Sequence, residues 1–193
     1  LDVPHLIDFI LLWNYGNSES EYRSCGPVAA GSGFKFWIAD ADGFLRTSAM
    51  GLNRTVRNGP GDVLSGLLAE NHSDFKTLLA DRIYQHYFNN GALTPARNHA
   101  RLAARMQEIN DSMIPECARW GYRTPANWVG AASTIYSNLF PSRTTQLIGY
   151  FRSAGWLPSF DPPTFNQFGG LVANGFQPTL TSASGTIYYT LDG

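Results

Sequence analysis

Apolar positions recur at helical spacing from the first residues. Val3, Leu6, Ile7, Ile10 and Leu11 fall on one face behind Asp2, a good N-cap, and Phe9, Leu12 and Trp13 make the other side apolar too. The pattern predicts an opening helix buried over most of its circumference and ending at Asn14, Tyr15 and Gly16. A polar, aperiodic stretch over 17–24 reads as a loop, and 27–33 as a small-residue turn region. The period then changes to that of a strand over 34–39. Phe34, Phe36 and Ile38 share one face and Trp37 and Ala39 the other, with Lys35 the only charge, which predicts an interior strand. It runs straight into Asp40, Asp42 and Gly43, so the strand is expected to deliver carboxylates to a surface turn.

Residues 43–61 show no sustained period and predict an irregular surface loop of the kind that often carries function. Helices follow. A short one is expected over 62–70, and a longer one capped by Ser73, with Phe75, Leu78, Leu79, Ile83 and Tyr87 as its apolar stripe and Asn89, Asn90 and Gly91 as its stop. Thr94 and Pro95 start another, carrying Leu102, Met106, Ile109 and Met113. Pro115 is expected to kink or end it. Thr124 and Pro125 repeat the start signal, and Pro141 opens a last helix that Gly155 closes. A proline-rich linker from Leu157 to Pro163 then separates residues 1–157 from a tail, 158–193. In the tail, runs at 176–181 and 186–191 around a Ser-Ala-Ser-Gly turn predict the first strands of an all-β module too short to fold alone.

The chain has 193 residues, 44% hydrophobic and 15% charged, which describes an ordinary globular composition. A net charge of −1 offers no electrostatic argument for nucleic acid or an anionic membrane as partner, and no apolar run approaches the length of a membrane span. The opening residues do not read as a signal peptide, and both ends are expected to be cuts, making the chain a piece of a longer protein. Cys25 and Cys117 are expected to be free thiols, and His5, His72, His86 and His99 to serve structural or surface roles. Arg97, Arg101 and Arg105 form a basic stripe read as a solvated face, and Trp120 and Trp128 read as core anchors. The chemistry is concentrated at Asp40: a strand-end carboxylate is held on a rigid element, the placement metal and phosphate chemistry needs.

Several separated segments resemble, in order, the CotH (spore-coat protein H) kinase-like family. They are Leu1-Asp2-Val3 through Tyr15-Gly16-Asn17, the stretch from Phe34 to Asp42, Ala80-Asp81-Arg82 through Thr94-Pro95, and Ala118-Arg119-Trp120-Gly121. The likeness covers residues 1–157; the tail is similar to the start of a chitobiase/β-hexosaminidase C-terminal-like β-sandwich. The resemblance implies an α+β fold, the mainly helical C-terminal lobe of an atypical protein kinase with a short sheet, followed by an incomplete β-sandwich. It implies phosphoryl transfer to a protein substrate in the full-length parent, with Mg²⁺ or Mn²⁺ and ATP as cofactors and an N-terminal lobe of the same chain as partner. On it, Asp40 is the metal ligand, Glu19 the candidate catalytic carboxylate, and Asn17 and Asp42 cofactor-binding residues. A secreted or bacterial cell-surface location also follows from it.

The chain departs from the family pattern at Glu19, where an aspartate is usual, at Arg23, near the usual metal-binding asparagine, and at Ala39, where tryptophan is usual. No glycine-rich phosphate loop of the Walker type occurs, since 26–33 does not open a helix. These departures motivate a second reading, a kinase-like scaffold without catalysis serving as an adhesion module. A third, carbohydrate binding or processing, rests on the tail and the 13% aromatic content, with Glu19 and Asp40, or Asp40 and Asp42, as a carboxylate pair.

Overall fold

The computed structural model of the chain describes residues 1–17, 22–26, 31–47, 51–53, 55, 60–121, 123–168 and 170–189. The fold is α+β, mainly helical, with two small antiparallel ribbons. Its hub is α1, Val3–Gly16, which packs against a ribbon strand and three other helices. Leu6, Ile7 and Leu11 are fully enclosed there, and from Phe9 to Gly16 only Leu12 is exposed. Asp2 caps the helix by accepting the His5 N–H at 3.0 Å, and Asn17 ends it in the left-handed region at φ 48°.

The His5 N–H bond holds the Asp2 carboxyl below the ordinary aspartate range, and nearby Lys35 adds to the effect. A carboxyl with a lowered folded pKa contributes stability above its unfolded pKa, and that contribution is lost as the pH falls through the folded value. Asp2→Ala is therefore expected to flatten the acid limb of the stability profile. Urea denaturation across the acid range measures it; an acid limb that keeps its slope would take this role away from Asp2.

Strands β1, Tyr22–Cys25, and β2, Lys35–Ile38, pair antiparallel from Tyr22 opposite Ile38 to Cys25 opposite Lys35. Two expectations change here. A strand occupies the second half of the segment read as a loop, and β2 belongs to a two-stranded ribbon, so it is not an interior strand. Only one face of the ribbon is covered: Phe36 and Ile38 pack on the core, with Phe36 against Phe9 and Tyr22 against Trp13. The other face leaves Trp37 44% exposed opposite Arg23, and Phe34, before the strand, is 57% exposed. Large aromatics on both faces thus marked a ribbon laid on one helix, because among the described residues no second layer covers it.

The helical layer comprises α2 (Pro60–Ala69), α3 (Ser73–Tyr87), α4 (Pro95–Trp120), α5 (Pro125–Thr134) and α6 (Phe140–Ser153). The cap of α3 is His72, whose Nδ1 accepts the Asp74 N–H at 3.3 Å, and Ser73 is already helical. Buried Leu79, Ile83 and Tyr87 face α1, and the Tyr87 hydroxyl donates to the Leu11 carbonyl at 2.8 Å. Helix α4 runs through Pro115 without ending. Pro115 and Asp111 are both exposed, so water can take the carbonyl that the missing N–H leaves without a donor. No residue of α4 is fully buried, and Trp120, expected as a core anchor, is 60% exposed with the Arg119 guanidinium 5.2 Å from its ring. A capping box between Thr124 and Asn127 starts α5. A π-helical turn, Ile135–Leu139, joins α5 to α6 without a break, so the last helix begins before Pro141.

Gly155 (φ 72°) turns the chain out of α6, and Trp156 and Leu157 return to the core. Trp156 stacks on Phe151 with ring centroids 5.4 Å apart. The tail forms the second ribbon, β3 (Thr164–Phe165) with β4 (Leu180–Thr181). Of the two strands expected at 176–181 and 186–191, the first is formed only at Leu180–Thr181, which pairs with the start of the tail, and the described part of the second, 186–189, is irregular. Residues 190 and 191 lie outside the described residues. Cys25 and Cys117 are free thiols.

Candidate functional site

The strand-end carboxylates sit where the ribbon meets the end of α1. Beyond the Tyr22–Ile38 pair the ladder stops, and Asp40 takes a left-handed conformation at φ 52°. That residue breaks the extended chain into a 3₁₀ turn, Ala41–Gly43, which carries Asp42. The turn is pinned from its far side: Phe44 N–H donates to Ala41 O at 3.0 Å, and Leu45 N–H donates to the Gly16 carbonyl at 2.8 Å. The Phe44 ring packs directly onto Gly16, where a Cβ would collide with it. Asn17, next in the chain, is buried as the cap of α1. Asn17, Asp40 and Asp42 are thereby gathered on one corner of the fold. Glu19, the other candidate, lies outside the described residues.

Asp40 and Asp42 are exposed, and neither carboxylate makes a hydrogen bond or ion pair with the described residues. Their oxygens are open to a ligand. No group of three or more His, Cys, Asp or Glu that could hold a metal ion occurs among the described residues. Two carboxylates without further protein donors suit Mg²⁺, which keeps several waters and completes its shell with substrate phosphates, better than an ion that needs an all-protein cage. Arg23 lies in β1, paired opposite Trp37 on the ribbon's outer face.

The segment that carries the carboxylates also borders a cavity of about 470 Å³. Leu45 lines it together with Arg101, Arg105, Leu102 and Phe140. Arg101 donates to the Ala92 carbonyl and Arg105 pairs with Glu108 at 2.5 Å, so part of the basic stripe is engaged while facing this hollow.

Other groups assemble elsewhere. Asp8 on α1 receives Arg82 Nε at 2.7 Å and His86 Nε2 at 2.9 Å, a half-buried cluster tying α1 to α3. The i, i+4 spacing of Arg82 and His86 was the signal for it in the sequence. Arg143, fully buried on α6, donates to the carbonyls of Tyr15 at 3.1 Å and Asn14 at 2.5 Å. His99 stacks on Tyr136 with centroids 3.9 Å apart and bonds its carbonyl at 2.7 Å. No helix among the described residues is long and apolar enough to cross a membrane.

No family model matches the chain, and comparison with curated proteins and with solved structures yields no match.

Proposed function

We propose that this chain is the helical lobe of a CotH-type phosphoryl-transfer domain, with Asp40 and Asp42 facing a Mg²⁺ or Mn²⁺ ion on a nucleotide. The observation that carries the reading is a pair of unpartnered carboxylates on a turn fixed at both ends, by the β1–β2 ladder and by the Leu45–Gly16 hydrogen bond. Phosphoryl transfer depends on positioning and charge neutralisation, and an exposed acidic pair without partners among the described residues is placed to meet a cation. The bound ion would neutralise charge on the phosphates. Asp40 would hold it from the end of β2 and Asp42 from the 3₁₀ turn, while buried Asn17 caps α1 behind them and fixes the helix end to which the turn is tied. Glu19 remains the candidate catalytic carboxylate, and the acceptor is a protein.

The test is Mn²⁺ binding in the presence of ATP, followed by electron paramagnetic resonance on the whole chain. Asp40→Asn is expected to weaken Mn²⁺ binding by tenfold or more, and Asp42→Asn by less. Neither should change the melting temperature noticeably, because neither carboxylate supports a contact. Equal affinity in the parent and both variants would sink the proposal. The competing scaffold reading draws on one observation: neither carboxylate lines the cavity beside α4 or those along α3 and the tail. It predicts that the parent chain shows no ATP-dependent Mn²⁺ binding at all.

A further inference from the structure

A second site lies at the C-terminal end of α3, where the helix meets the tail. Here a cleft of about 420 Å³ opens between the α3 terminus and the segment after Pro163. Its volume falls within the range of small-molecule sites. The tail wall is fastened to the helix, since the Tyr84 hydroxyl donates to the Pro163 carbonyl at 2.5 Å.

The lining has two components and lacks a third. Four aromatic rings supply apolar faces: Tyr84 and Phe88 on the helix side, with centroids 5.9 Å apart, and Phe165 and Phe168 on the tail side, with centroids 6.0 Å apart and planes crossed at 74°. Four side-chain amides supply polarity, from Gln85, Asn89, Asn90 and Gln167. No charged side chain lines the cleft.

The amides are partly committed, and this sets what they still offer. Asn89 Nδ2 donates to the Tyr84 hydroxyl at 3.0 Å, which leaves its carbonyl oxygen to accept. Gln85 Oε1 accepts from Arg82 at 3.0 Å, which leaves its NH₂ to donate. The side chain of Asn90 has no partner among the described residues; only its backbone carbonyl is used, by Arg97. Acceptors and donors thus stand beside aromatic faces, with no net charge.

Those properties select a ligand class. No lining side chain offers a cation to a phosphate or carboxylate, since Arg82 and Arg97 stand behind the lining bonded to Gln85 and to the Asn90 carbonyl, and an amine finds no carboxylate in the lining. A purely apolar ligand would bury the amide groups without hydrogen bonds, at a cost. A pyranose fits both components: its C–H faces lie on the negative faces of aromatic rings, and its hydroxyls donate and accept at once. We propose that this cleft binds a neutral glycan, seating one or two sugar rings between Phe168 and the α3 terminus. The site is separate from the Asp40 corner and does not depend on the phosphoryl-transfer reading.

The whole chain, fluorescently labelled, is applied to an array of neutral, sialylated and sulfated oligosaccharides and of proline-rich peptides. Affinity for the best neutral disaccharide is then measured by titration calorimetry. Binding confined to neutral glycans is expected, weakened about tenfold by Phe168→Ala and by Asn90→Ala. Both side chains are exposed, so the variants should keep the parent's circular dichroism and melting temperature. Asp40→Asn should leave sugar binding unchanged, which separates this result from that of the metal experiment. Absence of neutral-glycan binding overturns the proposal. So does a preference for anionic glycans or proline-rich peptides, or sugar affinity that survives both substitutions.

Discussion

Replacing Arg143 by methionine is expected to lower the stability of the fold by about 3–5 kcal/mol, since two buried hydrogen bonds from a charged donor, roughly 1.5–3 kcal/mol each, are lost. Arg143 is fully buried, and its guanidinium donates to the Asn14 and Tyr15 carbonyls at the C-terminal end of α1. The Asn14 carbonyl otherwise accepts the Asn17 N–H at 3.2 Å, and the negative end of the helix dipole favours a cation there. Methionine matches much of the stem but none of the donors, so the carbonyls would be left without them. Urea denaturation of parent and variant gives the difference; a loss below about 1 kcal/mol would show that water reaches the carbonyls. The same substitution loosens the helix end that holds Leu45 and, through it, the Asp40 turn. Mn²⁺ affinity should therefore fall in the variant even at temperatures where it remains folded.

Phe151→Ala is expected to cost a similar amount, about 3–5 kcal/mol. Its ring has no solvent exposure, stacks on Trp156, and meets Tyr87 edge-on with centroids 5.2 Å apart. Removal leaves a cavity between α6, α3 and the turn into the tail, and the flat Trp156 ring cannot fill it without dragging the chain after Gly155. Thermal denaturation should show a large fall in midpoint. If Phe151→Leu recovers most of the loss, volume governs; if it recovers little, the stacked geometry does.

Much of the helical layer was legible. Asp2, Thr94 and Thr124 cap or precede helices where their side chains and the following apolar period indicated, and the stripe Leu79, Ile83 and Tyr87 is buried as its spacing required. The failures share a cause: a residue's neighbours in space decide what its pattern means. Phe34 and Trp37 looked like members of an interior strand because apolar residues on both faces usually mean two covering layers, yet only α1 covers the ribbon. Tyr22–Cys25 is short and polar, and its strand character comes from pairing with β2. Trp120 sits at the exposed tip of a long amphipathic helix, where distance from the core overrides the preference of its ring. Of the candidate site, the sequence pointed to Asp40 and Asp42 at a strand end, and both are exposed beside Gly16 and Asn17. The aromatic–amide cleft could not be read, since it joins residues 84–91 to 165–168 across a proline-rich segment. Arg143 had a signal that was passed over: it falls at helical spacing with Phe140, Leu147 and Phe151, so a charge lay on a core-facing stripe.

The π turn at Ile135–Leu139 means that the chain spends one more residue between Pro125 and Ser153 than an uninterrupted α ladder would use. Each residue of an α-helix advances the azimuth by about 100°. That surplus residue turns the buried face of α6 by about 100° relative to α5, compared with where an uninterrupted ladder would put it. A length change in this stretch could be absorbed by letting the loop of five bonds tighten or widen, leaving the docking of either end intact.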